Sequence, residues 1–420
     1  MNHLLMLAVR SAWNRRLTLS LTLIAIALSV TMLLGVQRVR DEAHQGFNHS
    51  VTGTDLIVGA RTSPVQLMLY AVFRIGDATN NIRWQAYKDI SASPMVAWTI
   101  PVSLGDSHHG FPVLGTELSY FEHFHYGDGD GLVFREGKPF KDTFDAVLGS
   151  DVAEQMGYHL GQRIVLSHGM GTIGLPEHSD KPFTVVGILA PTGTPVDRTV
   201  HISLEAITAI HLDWVGGAKM PGFFIPSEFV HKFDLTPKEV TAVLVGLKSR
   251  VAVFRMQRNI NDYEKEPLLA VMPGVALEQL WQVVGVAEKA LLAISAMVVV
   301  VGLSGLIAVV LAGLNERRRE LAILRSVGAR PLDVFLLLTA EGLFVTVMGV
   351  ALGVIFLTLM TLALGPVLKA HYGLAIQIKW ISLEELKLLA AVVGVGLFAS
   401  LIPGYRAYRL SLADGLTPRI

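Results

Sequence analysis

The side chains best equipped for chemistry in this sequence are its histidines, and they are crowded together. Twelve of the fourteen lie between Gln37 and Val286. His108 and His109 are adjacent, and His123 and His125 follow as His-Phe-His, with Asp128 and Asp130 close behind. Alternate residues of a strand share a face, so His123 and His125 on a strand would aim both imidazoles at one point, as part of a three- or four-ligand zinc site. Plainer readings stand beside this one. Asp128-Gly129-Asp130-Gly131 is ordinary turn chemistry. A calcium loop opening at Asp128 would need its acidic twelfth ligand where Pro139 stands. The expectation is therefore no metal site, with His108, His109, His123 and His125 as the candidates for one. No cysteine occurs, which excludes disulfides, thiolate metal sites and cysteine nucleophiles.

Two further sets of charged residues stand out against apolar surroundings. Glu341 falls about ten residues, hence about 15 Å, into a helix expected to begin near Pro331. A carboxylate at that depth in an apolar helix is either functional or paired, and a static pair with an arginine or a hydroxyl is the preferred reading. The second set is Asn315-Glu316-Arg317-Arg318-Arg319-Glu320, followed by Arg325 and Arg330, between two nearly uncharged runs. Leu321, Leu324 and Val327 would form one stripe of an amphipathic helix there, and Arg317 and Glu320 can pair across one turn. Gly328 suits the stop of that helix, and Pro331 the first turn of the next. On pattern alone, this loop is equally a topological anchor on anionic lipid or a handle for a soluble partner.

These residues must be held by membrane-spanning elements. The chain has 420 residues, 51% of them hydrophobic and 17% charged, with a mean hydropathy of +0.48 and no net charge. That balance gives no field to attract nucleic acid. Four apolar runs are long enough to cross about 30 Å of hydrocarbon as helices. The expected layout is a leader at 1–16, spans at 17–36, 287–314, 334–364 and 386–403, a loop at 315–333, a short connection at 365–385 and a tail at 404–420. The first run has a basic lead-in but exceeds the core of about 7–15 residues usual for a signal peptide, so it reads as a retained anchor. Arginine is concentrated in the leader, the loop and the tail, which places both termini and the loop inside.

Residues 37–286 are then left outside as an α+β domain large enough for two packed subdomains. Strand-like runs (RIVLSHG, FTVVGILA, TAVLVGLKS) alternate there with helix candidates. One helix begins at Ser150-Asp151, capped by Asp151 with Glu154 three residues on, and Gly157 and Gly161 close it. Leu277, Leu280, Trp281, Val284 and Ala287 carry helical spacing straight into the second span, predicting a stalk, or else two helices with a kink at Gly285. Gln37–Phe47 would extend the first span in the same way. Gly302, Gly305, Gly349 and Gly353 mark faces where helices approach closely, within one chain or between two.

The loop residues Asn315–Glu320, Leu321-Ala322-Ile323-Leu324-Arg325 and Val327-Gly328-Ala329-Arg330, with Glu341-Gly342, resemble the cytoplasmic-loop signature of the FtsX-like and MacB-like permeases, the transmembrane subunits of type VII ABC systems. The end of the chain, Pro403-Gly404-Tyr405-Arg406-Ala407-Tyr408-Arg409-Leu410 and Ala413-Asp414-Gly415-Leu416, resembles the same family. Within the external domain, AVLGSDVAEQMGYHLGQRI and FTVVGILAPTGTPVDRTVHISL are similar to the MacB-like periplasmic core.

The resemblance implies a four-helix membrane bundle with a large α+β periplasmic domain between the first two helices, and an FtsX-like region at 287–416. It implies a bacterial inner-membrane permease that works as a homodimer or a heterodimer with a related permease. Glu316, Arg317, Arg318, Arg319, Glu320, Leu321, Leu324, Arg325 and Gly328 would then form the coupling helix that docks on a cytoplasmic ABC ATPase. No GxxxxGK[ST] phosphate loop occurs in the chain, so ATP and Mg are expected on that separate subunit, and no enzymatic activity on this one. The outer domain would move a lipoprotein, peptide, drug or periplasmic accessory protein. Two alternatives stay open: an FtsX-type regulator of a periplasmic partner, and a part of a periplasmic zinc-handling system.

Overall fold

The computed structural model describes residues 16–50, 52–169, 176–215, 218–220, 222–316, 321, 323, 325–372 and 380–409. Residues 1–15, Arg317–Glu320, Ala322, Leu324, residues 373–379 of the short connection and the tail beyond Arg409 lie outside the described residues. The chain divides into two compact units, one containing the apolar helices and one spanning Ala43–Val284.

Four helices are long and apolar enough to cross a membrane: span 1 within Arg16–His49, span 2 within Pro273–Glu316, span 3 within Pro331–Tyr372 and span 4 within Leu383–Tyr408. Each runs past the apolar stretch that marks it in the sequence. Span 1 continues through Gln37–Phe47, and span 2 belongs to one helix, Pro273–Glu316, that includes Gly285. The bundle core follows the helical repeat. Ile26, Val30, Leu33 and Leu34 of span 1 are buried against Leu303 and Leu306 of span 2 and partners on the other two helices. Leu17, Leu21 and Leu28 face outward from the same helix, and large apolar side chains do so along all four. Helices that are apolar all round belong in a medium where no polar face is needed.

The other unit is α+β. Twelve of its strands join into one mixed sheet, and six others pair off in three two-stranded ladders. The main path runs Arg163–Ile164, Phe183–Leu189, Asp145–Leu148, Val200–Ser203, Phe111–Thr116, Val96–Ser103, Ala242–Leu247, Leu56–Ala60, Leu268–Val271. The strand Leu56–Ala60 is buried along its whole length, and the pleat explains why. Ile57 points into one apolar cluster with Leu244 and Ile100, while Leu56 and Val58 point into another with Val243 and Val245. Both faces are covered, so the strand is a continuous aliphatic run instead of an alternating one.

The helix expected at Ser150 forms as Ser150–Met156, but its N-cap is Gly149 and no side chain caps it. Asp151 is buried inside the first turn instead. Gly149 is required because a Cβ there would run into the backbone oxygens of Val196 and Asp197. Gly157 does end the helix, in the left-handed conformation at φ 66°.

Candidate functional site

The loop between spans 2 and 3 is anchored by one residue of its expected stripe. Leu321 is buried in a small cluster with Leu314, Val334, Leu338 and Ala407, so it ties the loop to the ends of three span helices. Val327 departs from the expected stripe: it is 84% exposed. Ile323, four residues earlier, is 60% exposed. In a helix these two sit one above the other, so the loop carries an outward-facing apolar pair that the stripe reading missed. The spacing of Ile323 and Val327 was the available signal. Arg325 is half-buried. Glu316 ends the span 2 helix, while Arg317, Arg318, Arg319, Glu320 and Leu324 lie outside the described residues.

Gly328 stops the helix at φ 106°, with its N–H donating to the Arg325 carbonyl at 3.1 Å. Span 3 begins at Pro331, and Asp333 accepts the Arg330 backbone N–H at 2.8 Å. The turn is thus closed on one side by a backbone carbonyl and on the other by a side-chain carboxylate.

Glu341 is half-buried on span 3 and lines a crevice with Leu19, Val309, Val310, Gly313 and Leu338. Of the four glycines singled out, three face span 1. A Cβ on Gly302 would lie 3.2 Å from Ser29 Oγ; one on Gly349, 2.7 Å from Ile26 Cγ2; one on Gly353, 2.7 Å from Val30 Cβ and 2.8 Å from the Ala27 carbonyl oxygen. The close approach is used for hydrogen bonds, because Thr31 Oγ1 donates to the Gly353 carbonyl at 3.0 Å and Ser29 Oγ to that of Val298 at 3.2 Å. A Cβ on Gly305 would have nothing within 4 Å among the described residues, so no packing contact is made there by them. Three glycines not singled out beforehand make the contact between spans 3 and 4: Gly342 against Ser400, Gly396 against Thr346, and Gly404 against Thr339.

Ion pairs that no spacing rule could find close the other end of the bundle. Arg38 donates to Glu385 at 2.6 Å, with 11% and 4% of the two side chains exposed. Arg40 meets Glu288 at 3.0 Å. Glu385 has a second duty. It is the third residue of span 4, where its carboxylate accepts the Ser382 N–H at 3.0 Å while Ser382 Oγ accepts the Glu385 N–H. This capping box was legible as Ser382-x-x-Glu385; its partnership with span 1 was not.

The four histidines picked from sequence each have other engagements. His108 is buried, with Nδ1 on the Val165 carbonyl at 2.7 Å and Nε2 on the Tyr158 hydroxyl at 2.9 Å; burial lowers its pKa. His109 is exposed at φ 48°. His123 closes the helix Ser119–His123 and stacks on Trp98, while His125 begins a two-residue strand with Nδ1 on the His123 carbonyl at 2.8 Å. The pair therefore does not share a strand face. Asp128 and Gly129 lie in the turn expected of them, with Gly129 at φ 107°, while Asp130 and Gly131 form a short strand paired with His125 and Tyr126. Elsewhere in the unit, His201 is buried beside Arg74 and Tyr120. Burial first, then the Arg74 charge, pushes its pKa down to about 3, and burial pushes Tyr120 up to about 12.

Comparison with known proteins extends over this whole architecture. Residues 17–263 match the MacB-like periplasmic core domain, and residues 292–412 match the FtsX-like permease C-terminal domain. Over 98% of its length the chain is 20% identical to the macrolide export ATP-binding/permease protein MacB of Shewanella oneidensis, covering 60% of that protein. It is 21% identical to the MacB of Bdellovibrio bacteriovorus over 82% of its length, covering 52% of that protein. The chain thus spans little more than half the length of these relatives. Among solved structures, the periplasmic region of MacB from Actinobacillus actinomycetemcomitans aligns with 55% of this chain and 94% of its own (9% identity, TM-score 0.33). The extracellular domain of the transporter YknZ from Gram-positive bacteria aligns with 52% of this chain and 99% of its own (12% identity, TM-score 0.30). With one family model spanning more than half of its residues and a second covering its C-terminal helices, this membrane protein belongs to the FtsX-like and MacB-like permeases of ABC transporters.

Proposed function

We propose that the chain is the permease subunit of an inner-membrane ABC system that carries mechanical work instead of passing a substrate through a channel. Mg–ATP is bound and hydrolysed by a separate cytoplasmic ATPase. The loop 315–333 docks on that ATPase as a coupling helix, and the α+β unit, inserted between spans 1 and 2 on the periplasmic side, moves in response. The permease works as a pair, with a second copy or a related chain. Its cargo is a lipoprotein, a peptide or a small molecule; macrolide export is a property of the relatives named above.

The observation that supports the docking role is the division of labour in the loop. Leu321 grips the bundle, while Ile323 and Val327 stand exposed beside a run of arginines. Exposed apolar residues rimmed by charge mark a protein or membrane contact, and membership of the permease family favours the protein. The test uses the permease reconstituted with its ATPase. I323D/V327D should remove permease-stimulated ATP hydrolysis and co-purification of the ATPase, as should alanine replacement of the charges from Glu316 to Glu320. Stimulation at the wild-type level in I323D/V327D would overturn the coupling role.

A further inference from the structure

Four side chains that no sequence motif connects meet in the α+β unit. Asp106, His168, His178 and His211 each offer one ligand atom, and those atoms all lie within 4.8 Å of one another. Asp106 Oδ1 is 3.2 Å from His168 Nδ1, 3.5 Å from His211 Nε2 and 3.6 Å from His178 Nε2, while His168 Nδ1 is 3.0 Å from His211 Nε2. Donors placed tetrahedrally about 2.0–2.1 Å from a zinc ion are about 3.3–3.4 Å apart. These four separations, from 3.0 to 3.6 Å, bracket that value.

The fold sets each ligand separately. Asp106 and His168 face each other as a register pair between the short antiparallel strands Asp106–His108 and Ser167–His168. His178 is fixed by its backbone N–H, which donates to the Leu166 carbonyl at 2.8 Å. His211 ends the helix Leu204–Ile210, and its Nδ1 lies 2.8 Å from the Ile207 carbonyl. A carbonyl only accepts, so Nδ1 carries a proton, and in the neutral ring the Nε2 lone pair points into the cluster. A backbone carbonyl holding the far nitrogen of a ligating imidazole is the usual outer support of a metal site.

Hydrogen bonds alone do not satisfy this arrangement. The His178 side chain is fully buried, and neither of its ring nitrogens has a hydrogen-bond partner among the described residues. His168 Nδ1 has two acceptors within 3.2 Å, the Asp106 carboxylate and the His211 lone pair, and at most one proton to share between them. A cation at the centre satisfies all four groups at once. The surrounding charge also favours one. Asp106, Asp180 and Asp213 are three carboxylates, whereas the ion-paired cations beside them are two, Lys181 and Lys219. Trp214 packs on the His178 ring at a centroid distance of 4.4 Å and walls the site on one side. His168 and His211 keep 32% and 27% of their side chains exposed, which leaves a route for an ion to reach it.

The geometry points to a divalent transition-metal site of the zinc class, formed by three imidazole nitrogens and one carboxylate oxygen. Calcium and magnesium prefer all-oxygen shells and do not suit it. All four positions of a tetrahedral ion are taken by protein, so the site is a structural or metal-sensing clamp, not a hydrolytic centre with an open position. It joins the hairpin at Asp106, the strand at His168, the segment at His178 and the helix end at His211.

The test uses the full-length chain in detergent, stripped with a chelator and dialysed against Zn(II) or Co(II) alone, so no readout depends on the ATPase partner. The wild-type chain should take up a single equivalent, and Co(II) should give the intense visible bands of tetrahedral coordination. H178N and the more exposed H211N should each lose the equivalent and the bands while keeping the far-UV and near-UV circular dichroism of the stripped wild type. H109A and H123A/H125A should keep both. Absence of a stoichiometric ion in the wild type, or weak octahedral-type Co(II) bands, would mean an aspartate–imidazole network only and overturn the site. Uptake that survives in H178N and H211N but falls in H123A/H125A would overturn it equally.

Discussion

The contact between Arg38 and Glu385 allows a magnitude to be worked from the structure. At 2.6 Å and an effective dielectric of about 20, the gross attraction is about 6 kcal/mol, most of which offsets the desolvation of two nearly buried groups. Removing one partner is the informative perturbation, since it strands the other charge at a cost of about 3–5 kcal/mol. Glu385→Gln does this cleanly. Glutamine can serve at the third position of a capping box, so the span 4 cap with Ser382 survives while Arg38 loses its counter-ion. Glu385→Ala removes both roles and should cost about 1 kcal/mol more, the usual worth of an N-terminal cap. In R38Q/E385Q neither charge is stranded and two amides can still pair, so the double variant should be more stable than the sum of the two single losses predicts. Equilibrium unfolding in mixed micelles, followed by near-UV circular dichroism, measures wild type, R38Q, E385Q, E385A and R38Q/E385Q. Strict additivity of the two glutamine variants, or an E385Q within about 0.5 kcal/mol of wild type, the spread ordinary for a surface change, would refute the reasoning.

Helix packing gives a paired prediction. Gly353→Val places branches against Val30 and the Ala27 carbonyl and should destabilise the bundle by about 1–3 kcal/mol in the same assay, whereas Gly305→Val, with open space around it, should change stability by less than about 0.5 kcal/mol. The buried His201 predicts acid sensitivity. Its folded pKa of about 3 lies below the unfolded value of about 6.5, so the unfolded state binds the extra proton between those limits. Stability is complete above about pH 6.5 and falls by up to about 1.4 kcal/mol per pH unit as pH drops toward 3. His201→Leu should flatten that slope in pH-dependent thermal melts; an unchanged slope would remove His201 as its source.

What the sequence determined by itself is what depends on local composition and short spacings. Twenty uncharged residues from Leu17 are a span wherever they occur, because no folded alternative satisfies their backbone in lipid. The Gly328 stop and the Pro331 start are legible for the same kind of reason, since each acts on its own turn. The Gly157 helix end belongs with them.

Pairing across the chain was decided only in three dimensions. Arg38 and Glu385 are 347 positions apart, and nothing in either neighbourhood names the other. Gly149 looks like an ordinary loop glycine until the backbone at Val196 and Asp197 arrives against it. The histidines make the contrast sharpest. Those adjacent in sequence, His108 with His109 and His123 with His125, are taken up by separate contacts. Those that converge, His168, His178 and His211, are brought to Asp106 by a strand register, a backbone hydrogen bond and a helix end. Proximity along a chain costs no tertiary structure and so guarantees none; the convergence of distant donors exists only once the sheet and its helices have closed around them.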